Sequence, residues 1–242
     1  AVSMCGMFAI DSALEVIDAS TFDTSNVTDM NSMFARCASL SSISFGESFT
    51  TSEVTDMSNM FKDCHALQSL DLSNFDTGRV TDMSNMFANC TSLTNSQLLP
   101  ATTLAKYCYA RMFEGCTSLT NAPTLNVATL ANYCYTGMFK GCTSLVNAPV
   151  LPATELSEYC YAQMFEDCST ITKAPELCAK ILKDGCYFMM FNGCSNLRYV
   201  KMDATDIKAQ DCMFLMFDGV QSNGTFVKSK DAKWTSDEIP IG

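Results

Sequence analysis

The stretch VTDMSNMF occupies residues 80–87, and it occurs a second time, unchanged, at residues 54–61. A near copy, VTDMNSMF, occupies residues 27–34. Such self-similarity at a fixed spacing indicates a repeat architecture, in which each unit packs only against its neighbours. The stretch would then recur because each coil, meaning one unit of the repeat, must offer the same apolar face to the next.

Met-Phe dipeptides extend the repeat over almost the whole chain. The steps between them are 26 residues, with one step of 27 between Met33 and Met60. Their first residues are Met7, Met33, Met60, Met86, Met112, Met138, Met164, Met190 and Met216. A cysteine follows the phenylalanine by three residues in most units, and a leucine or isoleucine follows that cysteine by three more. We see no linker and no domain boundary inside this array.

One unit predicts a strand followed by a helix. The pattern L-x-x-L-x-L over 67–72 favours a short strand and matches the leucine-rich template. Val80, Met83, Phe87 and Cys90 then recur at helical spacing, with Thr81 placed to cap the helix. In the second half the helical stripe is longer, and Gly115, Gly141, Gly193 and Gly219 are expected to end the helices.

The predicted fold is therefore an α/β solenoid of about nine 26-residue coils. We expect a parallel β-sheet on the concave face and short helices on the convex face. Residues 1–219 would form the solenoid. Residues 220–242 break the repeat, and we expect them to cap the last open coil of the same domain.

The charge composition limits the classes of partner that the chain can bind. Only 17% of the residues are charged, and the formal net charge is −11. A chain this acidic lacks the basic patches that nucleic acids or anionic membranes require, so we expect neither a nucleic-acid partner nor membrane insertion. No apolar run approaches the ~18 residues of a membrane-spanning helix.

The strand face is the expected binding surface, since solenoids bind partners on their concave side. One outward position is polar throughout, and a neighbouring outward position includes Pro123, Pro149, Pro175 and Lys201. Interface hot spots favour aromatic residues and arginine, which this face lacks until its C-terminal end. The predicted partner-binding residues are Asn95, Asn121, Asn147, Lys173, Arg198, Tyr199 and Lys201. The alternative is that the asparagines only satisfy the backbone and water.

The 14 cysteines favour buried, reduced thiols over disulfides or a metal site. Most of them form two series at fixed repeat positions, as buried small apolar residues do. Disulfides between neighbouring coils remain an alternative. A calcium ladder along Asp29, Asp56 and Asp82 is another, although turn formation explains these carboxylates more simply. We predict no metal and no cofactor.

The residue types that catalysis requires do not come together anywhere in the repeat pattern. His65 is the single histidine, and no neighbouring residue would orient it as a catalytic triad requires. The Met-Phe dipeptides are expected to fill the core, where sulfur–aromatic contacts pack well. We therefore expect no catalytic residues and no enzyme activity.

The stretches LSNFDTGRVTDMSNMFANCTSL (72–93) and LPATTLAKYCYARMFEGCTSLTNAP (99–123) resemble the BspA-like leucine-rich repeats of bacterial surface proteins. The second resembles a variant of the Bacteroides type. This resemblance implies a secreted or cell-surface solenoid, often lipid-anchored through a leader, and for some members adhesion to host matrix proteins or to other cells. It implies no catalytic residues. We expect a protein or glycan ligand on the concave face. We expect a monomer. The alternative function is a stalk or spacer that presents a binding part outside this fragment.

Overall fold

The computed structural model describes residues 2–95, 104–235 and 239. Successive coils of the repeat stack in parallel, so that equivalent residues become neighbours. On the strand side, for example, the backbone N–H of Ser41 donates to the carbonyl of Glu15, one coil earlier, at 2.9 Å. The stacked-coil architecture predicted from the repeat is therefore present.

The strands are short and lie near the two ends of the chain. Three parallel pairs form, β1 with β3, β2 with β4 and β5 with β6. Their bounds are β1 Val2–Ser3, β2 Val16–Ala19, β3 Val27–Asp29, β4 Ser42–Phe45, β5 Tyr199–Met202 and β6 Thr225–Lys228. In the middle coils single parallel bridges, such as Asn121 with Asn147, replace ladders. The strand predicted over 67–72 does not form.

The predicted convex-face helices are wrong, since no helix occurs in the described ranges. Amides of the coil at 57–64 alternate between two kinds of partner. Met57, Asn59, Phe61 and Asp63 donate to carbonyls of the next coil, whereas Met60, Lys62 and Cys64 donate to the residue three positions earlier. An α-helix instead pairs each amide with the carbonyl four residues earlier in the same segment. We call these segments the turn side of the solenoid.

Left-handed backbone every four residues makes this alternation possible. Asn59 and Asp63 have φ values of 57° and 61°, and each is the third residue of a turn closed by one of these hydrogen bonds. A positive φ at that position suits Asn, Asp and Gly. The four-residue spacing that predicted helices therefore reflects a series of turns. Thr81 does not cap a helix, because its hydroxyl donates to the carbonyl of Thr55 in the preceding coil at 3.2 Å.

The predicted helix-ending glycines do adopt positive φ. Gly115, Gly141, Gly193 and Gly219 have φ values between 70° and 75°. They occupy the same turn position as Asp63 rather than the end of a helix. The glycine requirement was recognised from the sequence, but the element that imposes it was not.

Columns of identical side chains fill the core. The phenylalanine rings of the Met-Phe dipeptides stack from coil to coil, with Phe87, Phe113 and Phe139 separated by 5.6 and 5.8 Å between centroids. The methionines of this series are fully buried from Met33 to Met216, and Tyr109, Tyr135, Tyr161 and Tyr187 form a parallel buried column. The prediction that the Met-Phe dipeptides form the core is confirmed from Met33 onward, whereas Met7 in the first coil is 55% exposed.

The cysteine series beside the phenylalanines bonds one coil to the next. The Cys142 thiol donates to the carbonyl of Phe113 at 3.0 Å, and the Cys116 thiol donates to that of Phe87 at 3.1 Å. The same contact recurs at Cys37, Cys64, Cys90, Cys168 and Cys194. Each thiol thus satisfies a buried carbonyl that would otherwise lack a partner for one of its lone pairs.

The segments that contain Pro123, Pro149 and Pro175, which we call the proline segments, differ from the prediction in one respect. Leu125, Leu151 and Leu177 point inward, as expected. The prolines themselves, Pro123, Pro149 and Pro175, are buried as well, so their predicted outward orientation is wrong. Without a backbone N–H, proline cannot join a strand ladder, and the chain there departs from the alternation on which the outward assignment rested.

Aromatic residues of the tail pack against the last coil. The Phe226 ring meets Phe217 edge-on at 5.8 Å, and Trp234 meets Phe226 at 6.0 Å. The Trp234 indole N–H donates to the carbonyl of Ala204 at 3.1 Å. These contacts support a capping role for the tail, and the boundaries 1–219 and 220–242 stay a prediction.

Candidate interaction surface

Several of the predicted partner-binding residues are neighbours in successive coils. Asn95, Asn121, Asn147 and Lys173 are exposed, and Tyr199 is half-buried. Parallel bridges place Asn121 beside Asn147 and Lys173 beside Tyr199. Gln97, which belongs to the same outward face in the sequence pattern, lies outside the described residues. The structure thus brings most of the predicted residues into one row, which we call the strand-side row.

A groove of about 470 Å³ crosses this row between two successive coils. Asn147 and Lys173 line it, together with Val146, Val150 and Pro149. Val150 is 77% exposed and Val146 is 50% exposed, values that are high for large apolar side chains in a folded chain. Exposed apolar surface rimmed by polar groups is typical of an interaction site.

Charged contacts flank the groove. The Lys173 ammonium lies 5.5 Å from the centroid of the Tyr199 ring, within cation–π range. Lys201 forms an ion pair with Glu176 at 2.9 Å. Hydrogen bonding to Lys201 and its positive charge lower the pKa of Glu176, and the same contact raises the pKa of Lys201. Lys201 is therefore paired within the chain, which makes it a poorer anchor than the sequence suggested.

Arg198 lines a different space. It faces a cavity of about 530 Å³ between the last described coil and the tail, shared with Tyr199, Phe217 and Phe226. Its guanidinium bonds the carbonyls of Ser195 and Leu197 at 3.2 and 3.1 Å. The predicted residues therefore divide between the groove and this cavity, with Tyr199 next to both.

Sequence reasoning missed Val146, Val150 and Glu176. A signal was available, since Val146 stands where the neighbouring coils have Thr120 and Thr172. An apolar residue in an otherwise polar outward series marks an exposed patch. Aromatic side chains and arginine are the usual hot-spot types, and these valines belong to neither group.

A second exposed feature lies on the turn side. The rings of Tyr133 and Tyr159 stack at 5.0 Å, and the Tyr107 ring lies 4.9 Å from Tyr133 with a tilt of 31°. Lys106 lies about 5 Å from the rings of Tyr107 and Tyr133. All three tyrosines have positive φ, between 51° and 66°. Because these rings cover one another's faces, mainly their edges and hydroxyl groups remain available to a partner.

The repeated carboxylates form turns. Asp56 and Asp82 accept the backbone N–H two residues later, from Ser58 and Ser84, each at 2.8 Å. Such contacts are typical of Asx turns, as the simpler of the two interpretations predicted. Among the described residues, no three potential ligands of the His, Cys, Asp or Glu type come together to hold a metal ion.

Twelve of the 14 cysteines are buried, whereas Cys5 is exposed and Cys178 is partly exposed. His65 is exposed, and its Nδ1 lies 2.9 Å from the carbonyl oxygen of Asn89. Burial raises the pKa of the Cys64 thiol to about 12 and that of Cys108 to about 11. A thiol with such a pKa stays protonated at neutral pH and is a poor nucleophile. In the described part of the chain no helix is long and apolar enough to cross a membrane.

A known protein-family model matches the chain. The family model described as "Mycoplasma protein of unknown function, DUF285" matches residues 2–126 and 47–149. No curated protein matches the chain.

Two solved structures show partial similarity. A leucine-rich repeat protein from Bacteroides ovatus is 16% identical, with a TM-score of 0.45 over 95% of this chain and 67% of that chain. A leucine rich cell surface protein from Faecalibacterium prausnitzii is also 16% identical, with a TM-score of 0.39 over 94% of this chain and 62% of that one. Both are leucine-rich repeat proteins, the class that the sequence resembles, and similarity at this level carries no argument about this chain's function.

Proposed function

The chain belongs to the DUF285 family, and we propose that it is a non-catalytic interaction solenoid that binds a protein partner on its strand-side row. We place it at the bacterial cell surface or outside the cell, and we propose adhesion as its role. A lipid anchor would fit this location. The location and the adhesive role rest on the resemblance of the sequence to surface proteins.

The groove at Val146 and Val150 is the observation that carries the proposal. Binding sites combine exposed apolar surface with a few polar groups that set orientation. Here two exposed valines lie beside Asn147 and Lys173, and Tyr199 continues the row. A glycan is the less favoured partner, because sugar rings stack on open aromatic faces and the groove offers none among its lining residues.

The experiment measures binding of the purified chain to immobilised fibronectin, laminin and collagen, with a glycan array run beside them. Val150→Asp introduces a charge into the groove at an exposed position, so the fold should survive. Ile10→Asp is the matched control, since Ile10 is 69% exposed and belongs to the first coil. We expect saturable binding that Val150→Asp weakens at least about tenfold, a typical hot-spot effect, and that Ile10→Asp leaves unchanged.

Each of the other outcomes would favour a different site, partner or function. Binding that Val150→Asp does not affect would exclude the groove and direct attention to the tyrosines of the turn side. Binding to the glycan array alone would exclude the protein partner. An absence of binding to every ligand would favour the alternative of a stalk or spacer.

A further inference from the structure

The cavity at the C-terminal end combines an apolar wall with one cation. Leu197, Val220, Phe217, Phe226 and Ile239 supply apolar surface around a space of about 530 Å³. That volume lies within the range of about 300–1,000 Å³ that is usual for ligand sites. It is large enough to take one or two bulky side chains of a partner.

Arg198 differs from the other arginines of this acidic chain. Arg36, Arg79 and Arg111 each form an ion pair with a carboxylate. Within the described ranges, Arg198 has no carboxylate partner, and its acceptors are the neutral oxygens of Ser195, Leu197 and Gln221. A positive charge that no carboxylate of the described residues pairs, next to an apolar cavity in a chain of net charge −11, favours an anionic ligand.

Three hydrogen bonds to described residues hold the Arg198 guanidinium in place. Nη1 donates to the carbonyls of Ser195 and Leu197, and Nη2 donates to Gln221 Oε1 at 2.8 Å. Arginine has five N–H donors, so among the described residues the Nε–H and one Nη2–H have no acceptor. A carboxylate can accept from these remaining donors through charge-assisted hydrogen bonds. Because three contacts already fix the side chain, little further entropy is lost when the carboxylate binds.

An exposed strand edge next to the cavity suits an extended chain. Thr225 and Phe226 line the cavity and begin β6, which pairs with β5 on one side. Among the described residues, no other strand pairs with the opposite edge of β6. Exposed edges of this kind accept an added strand from a partner, through backbone hydrogen bonds.

We infer that this cavity binds the carboxyl terminus of a partner polypeptide whose last side chain is apolar. The carboxylate pairs with the free donors of Arg198, the last side chain enters the apolar cavity, and the preceding residues extend along β6. The inference rests on the proposed function for the polypeptide nature of the partner. A free fatty acid offers the same chemistry without a backbone, and the experiment separates the two.

The probe is the fluorescein-labelled hexapeptide Thr-Val-Thr-Val-Thr-Phe with a free carboxyl terminus, and its C-terminal amide is the comparison. Binding to the full chain is followed by fluorescence anisotropy, with octanoate as a competitor. We expect the acid to bind at least about tenfold more tightly than the amide, because charge-assisted bonds to a carboxylate are the strong ones. Octanoate should compete only weakly, since it cannot bond to β6.

Two variants test the site by different routes. Arg198→Gln removes the charge, and Val220→Trp fills the cavity while leaving Arg198 intact. Both should weaken binding of the acid at least about tenfold, as loss of an anchoring contact does. Arg36→Gln, at an exposed arginine far along the chain, is the matched control and should have no effect. If Arg198→Gln does not fold, Val220→Trp still decides the question.

Several results would overturn the inference. Equal affinity for acid and amide would exclude carboxylate recognition, and tighter binding of octanoate than of the peptide would indicate a lipid site. Failure of the acid to bind at millimolar concentration would exclude the site. Val150→Asp separates this inference from the proposed function, because it should weaken binding to the matrix proteins at least about tenfold and leave hexapeptide binding unchanged.

Discussion

Replacing Phe113 by alanine should cost the solenoid about 4 kcal/mol, a large share of the 5–15 kcal/mol that holds a typical domain together. Phe113 is fully buried, and its ring stacks between Phe87 at 5.6 Å and Phe139 at 5.8 Å. A substitution in the middle of the column therefore removes contacts with both neighbouring coils at once. In a repeat array these interfaces between neighbours supply most of the stability.

The magnitude follows from burial and stacking. Truncation of a buried phenylalanine to alanine typically costs about 3–5 kcal/mol, which includes the cavity left behind. Phe113 loses two aromatic pairs, each worth about 0.5–1.5 kcal/mol, so its loss should not fall at the low end of this range. The coils cannot collapse into the gap, because the backbone hydrogen bonds of the turn side fix their separation. For a chain of this size, 4 kcal/mol corresponds to a fall in Tm of about 8–16 °C.

Urea unfolding under reducing conditions, followed by circular dichroism, measures the loss over the whole array. Fluorescence of Trp234, the single tryptophan, reports separately on the C-terminal end. Phe214→Ala is the matched control, since Phe214 is 45% exposed and stacks with one partner, Phe188, at 5.7 Å. It should cost about 1 kcal/mol or less. A loss below about 1 kcal/mol for Phe113→Ala, or one no larger than the control, would refute the claim that the column is the core.

Further expectations concern pH, thiol chemistry and the turns. Burial raises the pKa of Cys64 from 9.0 to about 12. The protonated thiol therefore contributes fully to the free energy of unfolding below pH 9, and this contribution is lost as the pH rises toward 12, because the thiol of the unfolded chain ionises first. Urea unfolding at pH 8 and pH 10 should show lower stability at pH 10, and equal stability would contradict the burial of the thiols. At pH 8 a thiol reagent should label the exposed Cys5 first in the native chain, and nearly all 14 cysteines after denaturation without reductant. A count near zero would indicate disulfides. Gly141→Ala should cost about 1–2 kcal/mol for the left-handed backbone alone. Gly185→Ala should cost more by the same urea assay, because its new Cβ would also lie 2.2 Å from the Tyr159 ring. Equal losses would show that the ring moves aside freely.

The candidate surface was predictable only in part, for a reason visible at particular residues. The 26-residue spacing alone placed Asn121 beside Asn147 and Lys173 beside Tyr199, and the structure has these pairs as bridges. The spacing could not show that Lys201 pairs with Glu176, because the register between these coils shifts from 26 residues at Lys173 and Tyr199 to 25 residues at Leu177 and Met202. The cavity next to Arg198 depends in the same way on the tail folding back.

The sequence by itself determined the period of the repeat and the residues that form the core. A side chain that recurs every 26 residues must meet its copy in the next coil, whatever local structure connects them, and so the Met, Phe and Leu columns follow from spacing alone. The tertiary structure decided the local backbone. An apolar residue at every third or fourth position fits a helix and a series of turns equally well. The turns form because alternate amides donate to carbonyls of the neighbouring coil. Those acceptors come within reach only once the coils have stacked.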